Sequence, residues 1–475
     1  MGEGTVSDSD QGGRGASLVR PVNPRLVRAY DLRGVVGRDL TDGDARALGL
    51  RFAAAVRARG GRRVGVGYDG RLSSPNLEAE LVDGLRAGGV EVERVGRGPV
   101  GLLYYAVHTL GLDGGVMVTG SHNPPDQNGF KVLLGVEPVY GETLRDLVTG
   151  PAETASGGSA REIAITDAYL IRLLQAAADA PALRIGWDAG NGATGEIVQR
   201  LTERLPGEHR LIHCEIDGRF PAHHPDPSDP ANLRDLQALV RRERLDLGIA
   251  FDGDGDRIGV VDADGGIVWP DQLLLFLAED VLARHPHAPV VADVKSSRVL
   301  FDGVAAAGGS GVLSPSGYVL IRERMLREGA PIAGEMSGHL FFAENWYGAD
   351  DALHNALRLL AAIGRRGSLT DWRKRLPRTH ATPELRLPCP DADKTRVLAE
   401  VERTLVADGA EIDRTDGLRV TTDAGWWLLR ASGTEPKLTA RVEAWSEQGL
   451  ERLRGELMER LRKAGLALPA HDTLC

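Results

Sequence analysis

Cysteine is scarce in this chain, with three residues among 475. Cys214, Cys389 and Cys475 are far apart and odd in number, and their spacing matches neither a disulfide framework nor a cysteine-bound zinc site. Free, widely spaced cysteines are typical of a reducing compartment, so we expect a cytoplasmic protein.

Excess positive charge and long apolar runs are also absent. The net charge of −10 argues against non-specific nucleic-acid binding, although a few basic side chains in one cleft still suffice for an anionic substrate. No window approaches the roughly 18 apolar residues that span a bilayer, so no membrane partner is expected. Residues 1–24 are polar and Gly-rich, lack the apolar core of a signal peptide, and are predicted to be a disordered tail.

Three stretches of the chain share one plan: a short apolar strand that ends at or beside an aspartate, a polar turn, and a helical pattern. These stretches begin near residues 64, 183 and 290. A repeat of about a hundred residues is larger than a solenoid repeat and predicts three similar α/β units. In such units the sites lie at the C-terminal ends of the parallel strands.

The last hundred residues differ from the repeats. A helix is predicted near 392–407, strands near 418–421, 426–430 and 438–445, and a closing amphipathic helix at 448–463, which together indicate an α+β module. The predicted division is therefore the tail at 1–24, α/β domains at 25–160, 161–265 and 266–378, and an α+β domain at 379–475.

Ser121 is the first candidate functional residue. It follows the apolar run 116–118 and lies on a loop stiffened by Asn-Pro-Pro, with His122 and Lys131 on either side. A serine at a strand end is a candidate covalent catalyst. No G-x-S-x-G elbow surrounds it, which disfavours a hydrolase.

An acidic segment follows the predicted strand at 247–250. Asp252, Asp254 and Asp256 alternate with glycines, so their carboxylates can converge on one hard cation, with Mg²⁺ favoured and Arg257 beside it as an anion clamp. An EF-hand is excluded because Arg257 and Ala263 stand where that loop needs Gly and Glu. A simple acidic turn is less favoured, since three unpaired carboxylates would repel one another.

Two further segments carry polar groups at close spacing. In 334–339 (GEMSGH), an extended backbone would project Glu335, Ser337 and His339 from one face, which suits adjacent sugar hydroxyls. The segment 430–437 (RASGTEPK) offers a guanidinium, hydroxyls and Gly-exposed N–H groups, the donors that a phosphate needs. Each segment taken alone is also compatible with an ordinary solvated loop.

Six motifs together resemble those of the α-D-phosphohexomutase family, and within it the phosphomannomutase/phosphoglucomutase group. They occur in family order and cover the chain from about residue 25 to the C-terminus. The motifs are YDLRG at Tyr30, TGSHNP at Thr119, NGFK at Asn128, DGDGDR at Asp252, GEMSGH at Gly334 and RASGTEP at Arg430. The resemblance implies three related α/β domains with mixed sheets and a C-terminal α+β domain of TATA-box-binding-protein-like type, arranged around a central cleft.

The resemblance also implies a reaction and its residues. Hexose 1-phosphate and hexose 6-phosphate, of mannose or glucose, would interconvert through a phosphoserine at Ser121 and a hexose 1,6-bisphosphate, which also acts as activator. Ser121, Asp252, Asp254 and Asp256 would bind Mg²⁺. The other catalytic residues implied are Arg33, His122, Lys131, the candidate for proton transfer, and Arg257. The substrate-binding residues implied are Tyr30, Lys295, Tyr318, Glu335, Ser337, His339, Arg430, Ser432, Gly433, Thr434 and Lys437. The expected partners are small sugar phosphates, with the protein a monomer or dimer.

One segment departs from the family pattern. Where many members carry Gly-His before a helix, this chain reads Gly317-Tyr318, and a phenol with an ordinary pKa near ~10 suits proton transfer poorly at neutral pH. Three alternatives stay open: a phosphoglucosamine mutase, disfavoured by Met336 where those members usually have Gln, a hexose bisphosphate synthase, and a non-catalytic sugar-phosphate binding protein.

Overall fold

The computed structural model describes residues 20–433 and 436–467, and most of the predicted tail lies outside these residues. The described chain forms four β-sheets, each built from one continuous stretch of sequence. Three short 3₁₀ helices, at Pro24–Leu26, Gln175–Ala177 and Pro230–Leu233, accompany the elements given below.

The first unit is a seven-stranded mixed sheet with four helices. Its strands are β1 (Leu32–Val35), β2 (Arg63–Tyr68), β3 (Glu91–Arg97), β4 (Gly114–Val118), β5 (Gln127–Leu134), β6 (Glu137–Pro138) and β7 (Ser159–Glu162). Its helices are α1 (Asp42–Ala58), α2 (Ser74–Ala87), α3 (Val100–Leu110) and α4 (Gly141–Thr149). Strand β4 is buried along its whole length, as expected for a central strand covered on both faces.

The second unit is a five-stranded mixed sheet. Its strands are β8 (Leu183–Asp188), β9 (Gly207–Ile212), β10 (Leu247–Phe251), β11 (Ile258–Asp262) and β12 (Ile267–Val268). Its helices are α5 (Thr166–Leu174), α6 (Gly195–Thr202) and α7 (Arg234–Glu243). Strands β10 and β11 are fully buried, so the acidic loop that joins them starts and ends inside the protein.

The third unit has four strands and five helices. Its strands are β13 (Pro289–Asp293), β14 (Ser310–Ser314), β15 (Ile332–Gly334) and β16 (Leu340–Phe342). Its helices are α8 (Pro270–Leu282), α9 (Arg298–Ala306), α10 (Tyr318–Glu328), α11 (Ala352–Arg366) and α12 (Leu369–Lys374). Helices α8 and α11 belong to the largest apolar cluster, which also takes in α3 and the second sheet and so joins the three units.

The same strand order recurs in these three sheets. Each contains an antiparallel strand followed by the third, first and second strands of a parallel trio, namely β5-β4-β2-β3, β11-β10-β8-β9 and β16-β15-β13-β14. The prediction of three related α/β units is therefore confirmed. A shared order also means that loops in the same place in each unit are structural equivalents.

The fourth unit is an antiparallel sheet with two long helices. Its strands are β17 (His380–Ala381), β18 (Leu385–Pro388), β19 (Glu411–Asp413), β20 (Leu418–Thr422), β21 (Gly425–Ala431) and β22 (Lys437–Ala444). Helices α13 (Asp391–Ala407) and α14 (Glu447–Lys463) pack on this sheet around a separate apolar cluster. The α+β assignment is confirmed, although the short strands β17, β18 and β19 escaped the sequence analysis. Among the described residues, no helix is long and apolar enough to cross a membrane.

Candidate active site

Three of the predicted motifs occupy the same place in their units. The serine loop joins β4 to β5, the acidic loop joins β10 to β11, and the segment 335–339 joins β15 to β16. Contacts between side chains of these loops, described below, bring the three loops together. The repeat therefore supplies one functional loop from each of the three units to a common site.

Ser121 is buried and directly contacts the acidic loop. Its Oγ donates a hydrogen bond to Asp252 Oδ2 at 2.7 Å and lies 3.2 Å from Nδ1 of His122. The backbone of Ser121 is left-handed, with φ +47°, a conformation that a non-glycine residue adopts only when its surroundings hold it. One such contact is the hydrogen bond from its N–H to Oγ1 of Thr119, at 2.8 Å.

The serine loop is folded around a buried arginine that the sequence analysis did not single out. Arg71 reaches the loop from the turn before α2, and its Nε lies 3.3 Å from Asp69 Oδ2. Its two terminal nitrogens donate to four loop carbonyls, those of Ser121 (2.7 Å), Asn123 (2.5 Å), Pro124 (2.6 Å) and Gln127 (2.9 Å). The planar fork of one guanidinium thus organises the loop that presents Ser121.

The acidic loop is neutralised in part by Lys131. The Nζ of Lys131 donates to Asp254 Oδ2 at 2.8 Å and to Oδ2 of Asp256, and all three side chains are buried. Burial alone would lower the pKa of Lys131, but Asp254 and Asp256 outweigh burial and raise it well above its ordinary value. Lys131 is therefore a fixed ammonium group beside the serine loop.

The three carboxylates have the properties of a cation site. Asp252, Asp254 and Asp256 each offer one oxygen, and these oxygens lie within 4.8 Å of one another. Burial, Asp256 and Asp254 raise the pKa of Asp252 well above its ordinary value. The Oδ1 atoms of Asp254 and Asp256 are buried and have no hydrogen-bond partner among the described residues. Converging oxygens left without partners suit a hard divalent cation.

Arg33 and His122 both lie beside the serine. Arg33 is buried, pairs with Asp31 at 2.8 Å and donates to the carbonyl of Thr119 at 3.0 Å. The positive charge of Arg257, together with burial and Arg33, holds the pKa of His122 well below its ordinary value. His122 is thus a neutral imidazole at physiological pH.

The segment 335–339 is a tight turn, which corrects the expectation of an extended backbone. The N–H of Gly338 donates to the carbonyl of Glu335 at 3.0 Å, and Gly338 has φ +101°, a conformation that favours glycine. The turn places His339 between two loops: its Nδ1 lies 2.8 Å from Asp350 Oδ2, and its Nε2 accepts from Arg257 Nε at 3.0 Å. Asp350 thus orients the imidazole, a partner that the sequence did not reveal.

Tyr318 lies against His339. The two rings stack with centroids 5.2 Å apart, and Nζ of Lys131 lies 5.7 Å from the Tyr318 ring. Burial and the nearby Asp31 raise the pKa of Tyr318 well above its ordinary value. On the other side Tyr318 meets Tyr30, whose hydroxyl donates to the carbonyl of Ser316 at 3.0 Å and so links the first unit to the third.

Lys295 lies beside Glu335 and at the edge of a larger cavity. Lys295 Nζ is 3.6 Å from Asp293 and 4.0 Å from Glu335. Lys295, Met336 and Ser337 line a cavity of about 1120 Å³ that extends between the third and fourth units. This volume exceeds that of typical small-molecule sites, so a sugar phosphate fits easily.

The segment 430–437 connects β21 and β22, and Thr434 lies outside the described residues. Arg430 Nε donates to Asp416 Oδ2 at 2.9 Å, and the same oxygen accepts from the N–H of Ser316 at 3.1 Å. The N–H of Ser432 donates to the carbonyl of Lys437 at 3.0 Å, which closes the loop. Gly433 faces open space. Burial lowers the pKa of Lys295, but the negative charges of Asp293 and Glu335 outweigh burial and raise it. Arg430 lies close enough for its positive charge to oppose this rise.

Comparison with known proteins identifies the family. Four domain models described as phosphoglucomutase/phosphomannomutase domains I, II, III and the C-terminal domain match residues 24–143, 167–265, 269–380 and 384–460 in order. The chain belongs to the phosphoglucomutase/phosphomannomutase family. A phosphomannomutase/phosphoglucomutase of Pseudomonas aeruginosa is 40% identical over 94% of this chain and 97% of that protein.

Two other family members agree with this assignment. A phosphoglucomutase of Neisseria gonorrhoeae is 40% identical over 92% of this chain and 96% of that protein. The crystal structure of a phosphoglucomutase/phosphomannomutase family protein from Burkholderia thailandensis superimposes with a TM-score of 0.88, at 40% identity, and covers 94% of this chain and 99% of that one. The family resemblance inferred from six motifs is therefore confirmed over nearly the whole chain.

Proposed function

We propose that this phosphoglucomutase/phosphomannomutase family member interconverts hexose 1-phosphates and hexose 6-phosphates, with mannose and glucose as the sugars. One observation carries the proposal: a serine hydroxyl bound to a buried carboxylate cluster lies near Lys131 and Arg257, while the fourth unit presents a separate loop with phosphate-type donors that contacts the third unit through Asp416. A mutase needs one place where a phosphoryl group is transferred and another where the second phosphate is held.

Ser121 is the phosphoryl carrier in this proposal. Its Oγ forms the phosphate ester, and the hydroxyl of bound hexose phosphate attacks that phosphorus, so the P–O bond to Ser121 breaks as the bond to the sugar forms. The resulting hexose 1,6-bisphosphate reverses its orientation and returns its other phosphoryl group to Ser121. The rigid loop around Arg71 supports this role, because transfer depends on accurate placement of the reacting oxygen.

Charge neutralisation at the transferred group falls to three elements of the site. Lys131 and Arg257 supply fixed positive charges, and Asp252, Asp254 and Asp256, with an oxygen of the phosphoserine, would hold Mg²⁺. Mg²⁺, when bound, stabilises the negative charge on the phosphoryl oxygens. Arg33 anchors the Thr119 carbonyl and keeps a further positive charge next to the serine.

The attacking hydroxyl must lose a proton, and His339 is better placed than Lys131 to accept it. Because Asp254 and Asp256 keep Lys131 protonated, that residue lacks a free lone pair at neutral pH. Nε2 of His339 accepts from Arg257 Nε at 3.0 Å, and its Nδ1 lies 2.8 Å from Asp350 Oδ2, so a substrate hydroxyl that replaces Arg257 as donor would meet the Nε2 lone pair. His122, held neutral beside Ser121 Oγ, contributes a polar contact in this scheme.

The phosphate that is not transferred is held by the loop of the fourth unit. Asp416 accepts from Nε of Arg430, and among the described residues the two terminal nitrogens of that guanidinium have no hydrogen-bond partner, so they are available for a bidentate phosphate contact. Ser432, Gly433 and Lys437 belong to the same loop, the sequence adds Thr434 to this set, and Glu335, Ser337 and Lys295 are the residues proposed to bind the sugar. Donors of this generic kind suit either orientation of the bisphosphate.

Three finer points belong to the same proposal. Hexose 1,6-bisphosphate serves as activator because it phosphorylates Ser121. Small sugar phosphates are the partners, and the assembly is a monomer or dimer. A cytoplasmic location is supported by Cys214 and Cys389, which are buried free thiols.

Steady-state assays test the reaction. Mannose 1-phosphate and glucose 1-phosphate are supplied separately with Mg²⁺ and a trace of glucose 1,6-bisphosphate, and 6-phosphate formation is followed. Intact mass should show one phosphoryl adduct in the wild type and in the exposed control Ser310→Ala, but none in Ser121→Ala, which should be inactive. Absence of 6-phosphate from both sugars would refute the proposal.

The same measurements separate the alternatives. A phosphoglucosamine mutase would turn over glucosamine phosphates in preference to both hexoses. A bisphosphate synthase would release hexose 1,6-bisphosphate instead of the 6-phosphate, but only when an external phosphoryl donor is added to rephosphorylate Ser121. A non-catalytic binding protein would retain sugar phosphate without any adduct on Ser121.

A further inference from the structure

The second unit contains another group of potential metal ligands besides the acidic loop. Asp188, His213 and His223 each offer one ligand atom, and these atoms lie within 4.8 Å of one another. Asp188 ends β8 and is fully buried, His213 directly follows β9, and His223 lies on the loop after it. Two imidazoles and one carboxylate form a donor set typical of zinc.

The hydrogen bond of His223 to a backbone carbonyl leaves its Nε2 facing Asp188, and Nδ1 of His213 faces the same carboxylate. Nδ1 of His223 lies 2.9 Å from the carbonyl of His224, so it donates there, and Nε2 then presents a lone pair 3.0 Å from Asp188 Oδ2. Nε2 of His213 lies 3.7 Å from the carboxylate of Asp235. The contact of His223 Nδ1 with a backbone carbonyl is of the kind that fixes the tautomer of a metal-bound histidine.

His213 strengthens this assignment. Its Nδ1 is 3.5 Å from Asp188 Oδ1 and is buried, yet it has no hydrogen-bond partner among the described residues. A second proton on His223 would satisfy Asp188 Oδ2, but it would still leave Nδ1 of His213 without a partner. A cation between the three side chains would give a partner to Nδ1 of His213, to Nε2 of His223 and to the carboxylate of Asp188.

The repeat provides an independent reason to expect a cation here. Asp188 is the structural equivalent of Asp69 and Asp293, because each follows or ends the middle parallel strand of its unit. In the first and third units a basic residue two positions later neutralises this aspartate: Arg71 at 3.3 Å and Lys295 at 3.6 Å. In the second unit that position is Gly190, which has no side chain to contribute. In the second unit the imidazoles of His213 and His223 lie next to the aspartate, which in the first and third units is paired with a basic side chain.

We propose that Asp188, His213 and His223 bind one Zn²⁺ ion. Metal–ligand bonds of roughly 2.0–2.2 Å in a tetrahedron separate ligand atoms by about 3.3 Å. The imidazole nitrogens of His223 and His213 lie at distances of this size, 3.0 and 3.5 Å, from the two different oxygens of the Asp188 carboxylate. The side chains of His213 and His223 are 21% and 14% exposed, so solvent can reach the open fourth position.

The site is structural and supports the acidic loop. The loop that carries His223 continues to Pro225, which lies beside Gly253 of the acidic loop. Gly253 in turn approaches Ser121 so closely that an added Cβ would lie 2.3 Å from the carbonyl of Ser121. Zinc would therefore fix the segment that backs both reacting loops, without contacting substrate.

Metal titration of the full-length, tag-free protein tests the proposal. The protein is dialysed against chelator and titrated with Zn²⁺ in a large excess of Mg²⁺, which keeps the oxygen-rich acidic loop occupied. We expect one tightly held Zn²⁺ in the wild type and in His224→Gln, which retains the backbone carbonyl that His223 uses. In His213→Gln and His223→Gln the affinity should fall by roughly 100-fold or more, since each variant loses a ligand.

Two readouts keep the test decisive if a variant folds poorly. Co²⁺ added to the wild type should give the visible absorption of a tetrahedral nitrogen–oxygen site, and Zn²⁺ should abolish it. Histidine side-chain NMR of the wild type should show two imidazoles shifting with one equivalent of Zn²⁺. Lack of zinc binding under excess Mg²⁺, unchanged affinity in both variants, or an NMR signature of doubly protonated His223 at saturating Zn²⁺ would overturn the proposal.

Discussion

Arg71→Lys should separate the organisation of the serine loop from the chemistry of the serine. Arg71 is fully buried and makes five contacts, four with loop carbonyls and one with Asp69. Lysine keeps the charge, but its ammonium has three donors on a single atom instead of the five N–H groups of a planar fork. The substitution therefore changes geometry without removing the positive charge.

The size of the effect follows from the contacts that lysine leaves unmade. At least two of the five contacts are lost, and each buried acceptor without a partner costs about 1–3 kcal/mol, so the loss is about 2–6 kcal/mol. Ser121 holds a left-handed backbone, which is itself unfavourable by ~1–3 kcal/mol for a non-glycine residue. Once the carbonyls are released, we expect the serine to relax to an ordinary conformation and its Oγ to move.

Steady-state kinetics and hydrogen exchange measure the consequence. A shift of the reacting oxygen by about 1 Å lowers kcat by roughly 100-fold, while KM changes little because Arg71 is not among the residues proposed to hold the substrate. Backbone amides of 119–127 should exchange faster. The control is Arg38→Lys, an exposed pair with Asp39 that should leave both readouts unchanged. Wild-type kcat in Arg71→Lys, or a rise in KM alone, would refute the reasoning.

Two other substitutions address the remaining parts of the site, and a third tests Glu344, a carboxylate outside the site that pairs with Arg284 and Arg358. Asp350→Asn should lower kcat by about 100-fold or more with KM nearly constant, because His339 loses the carboxylate that orients it. A pH–rate profile of the variant measures this change. Asp416→Ala should raise KM for 1-phosphate and 6-phosphate by about tenfold, or ~1.4 kcal/mol, with kcat little changed, because Arg430 is no longer aligned. Burial raises the pKa of Glu344, but hydrogen bonds from two arginines outweigh it and lower the pKa to about 2. This stabilisation is present above the unfolded pKa of about 4.3 and lost as pH falls towards 2, so Glu344→Gln should flatten acid denaturation curves in that window.

The sequence was sufficient for the elements whose signal is local. Apolar strands ending at an aspartate predicted the three α/β units, and motif order predicted the family. The equivalence of the serine, acidic and 335–339 loops depends on strand order, which periodicity along the chain does not encode. The turn at 335–339 was missed because alternating polar residues suit a strand equally well, and only the φ of Gly338 distinguishes the two.

Supporting partners were harder to predict than the motif residues they hold. Arg71 lies 50 to 56 residues before the loop carbonyls that it binds, and Asp416 lies 100 residues after Ser316, whose N–H it accepts. Each is a common residue type in a loop, and its role depends on burial and on contacts between separate parts of the chain. Asp350 is the exception, because it lies eleven residues after His339 and an Asp–His pair at short range could have been considered.

The Tyr318 departure has a narrower consequence than the sequence suggested. A phenol whose pKa is raised by burial and by Asp31 stays protonated at neutral pH, so Tyr318 keeps a hydroxyl donor and offers a ring face but is not expected to relay protons. Under the proposed mechanism this role is already filled by His339, against which Tyr318 stacks. We therefore expect tyrosine at position 318 to leave proton transfer intact and to act on sugar contact. Tyr318→His should change the ratio of mannose to glucose turnover more than it changes kcat for the preferred sugar. Side-by-side kinetics of the two sugars test this, and a large change in kcat at a constant ratio would contradict it.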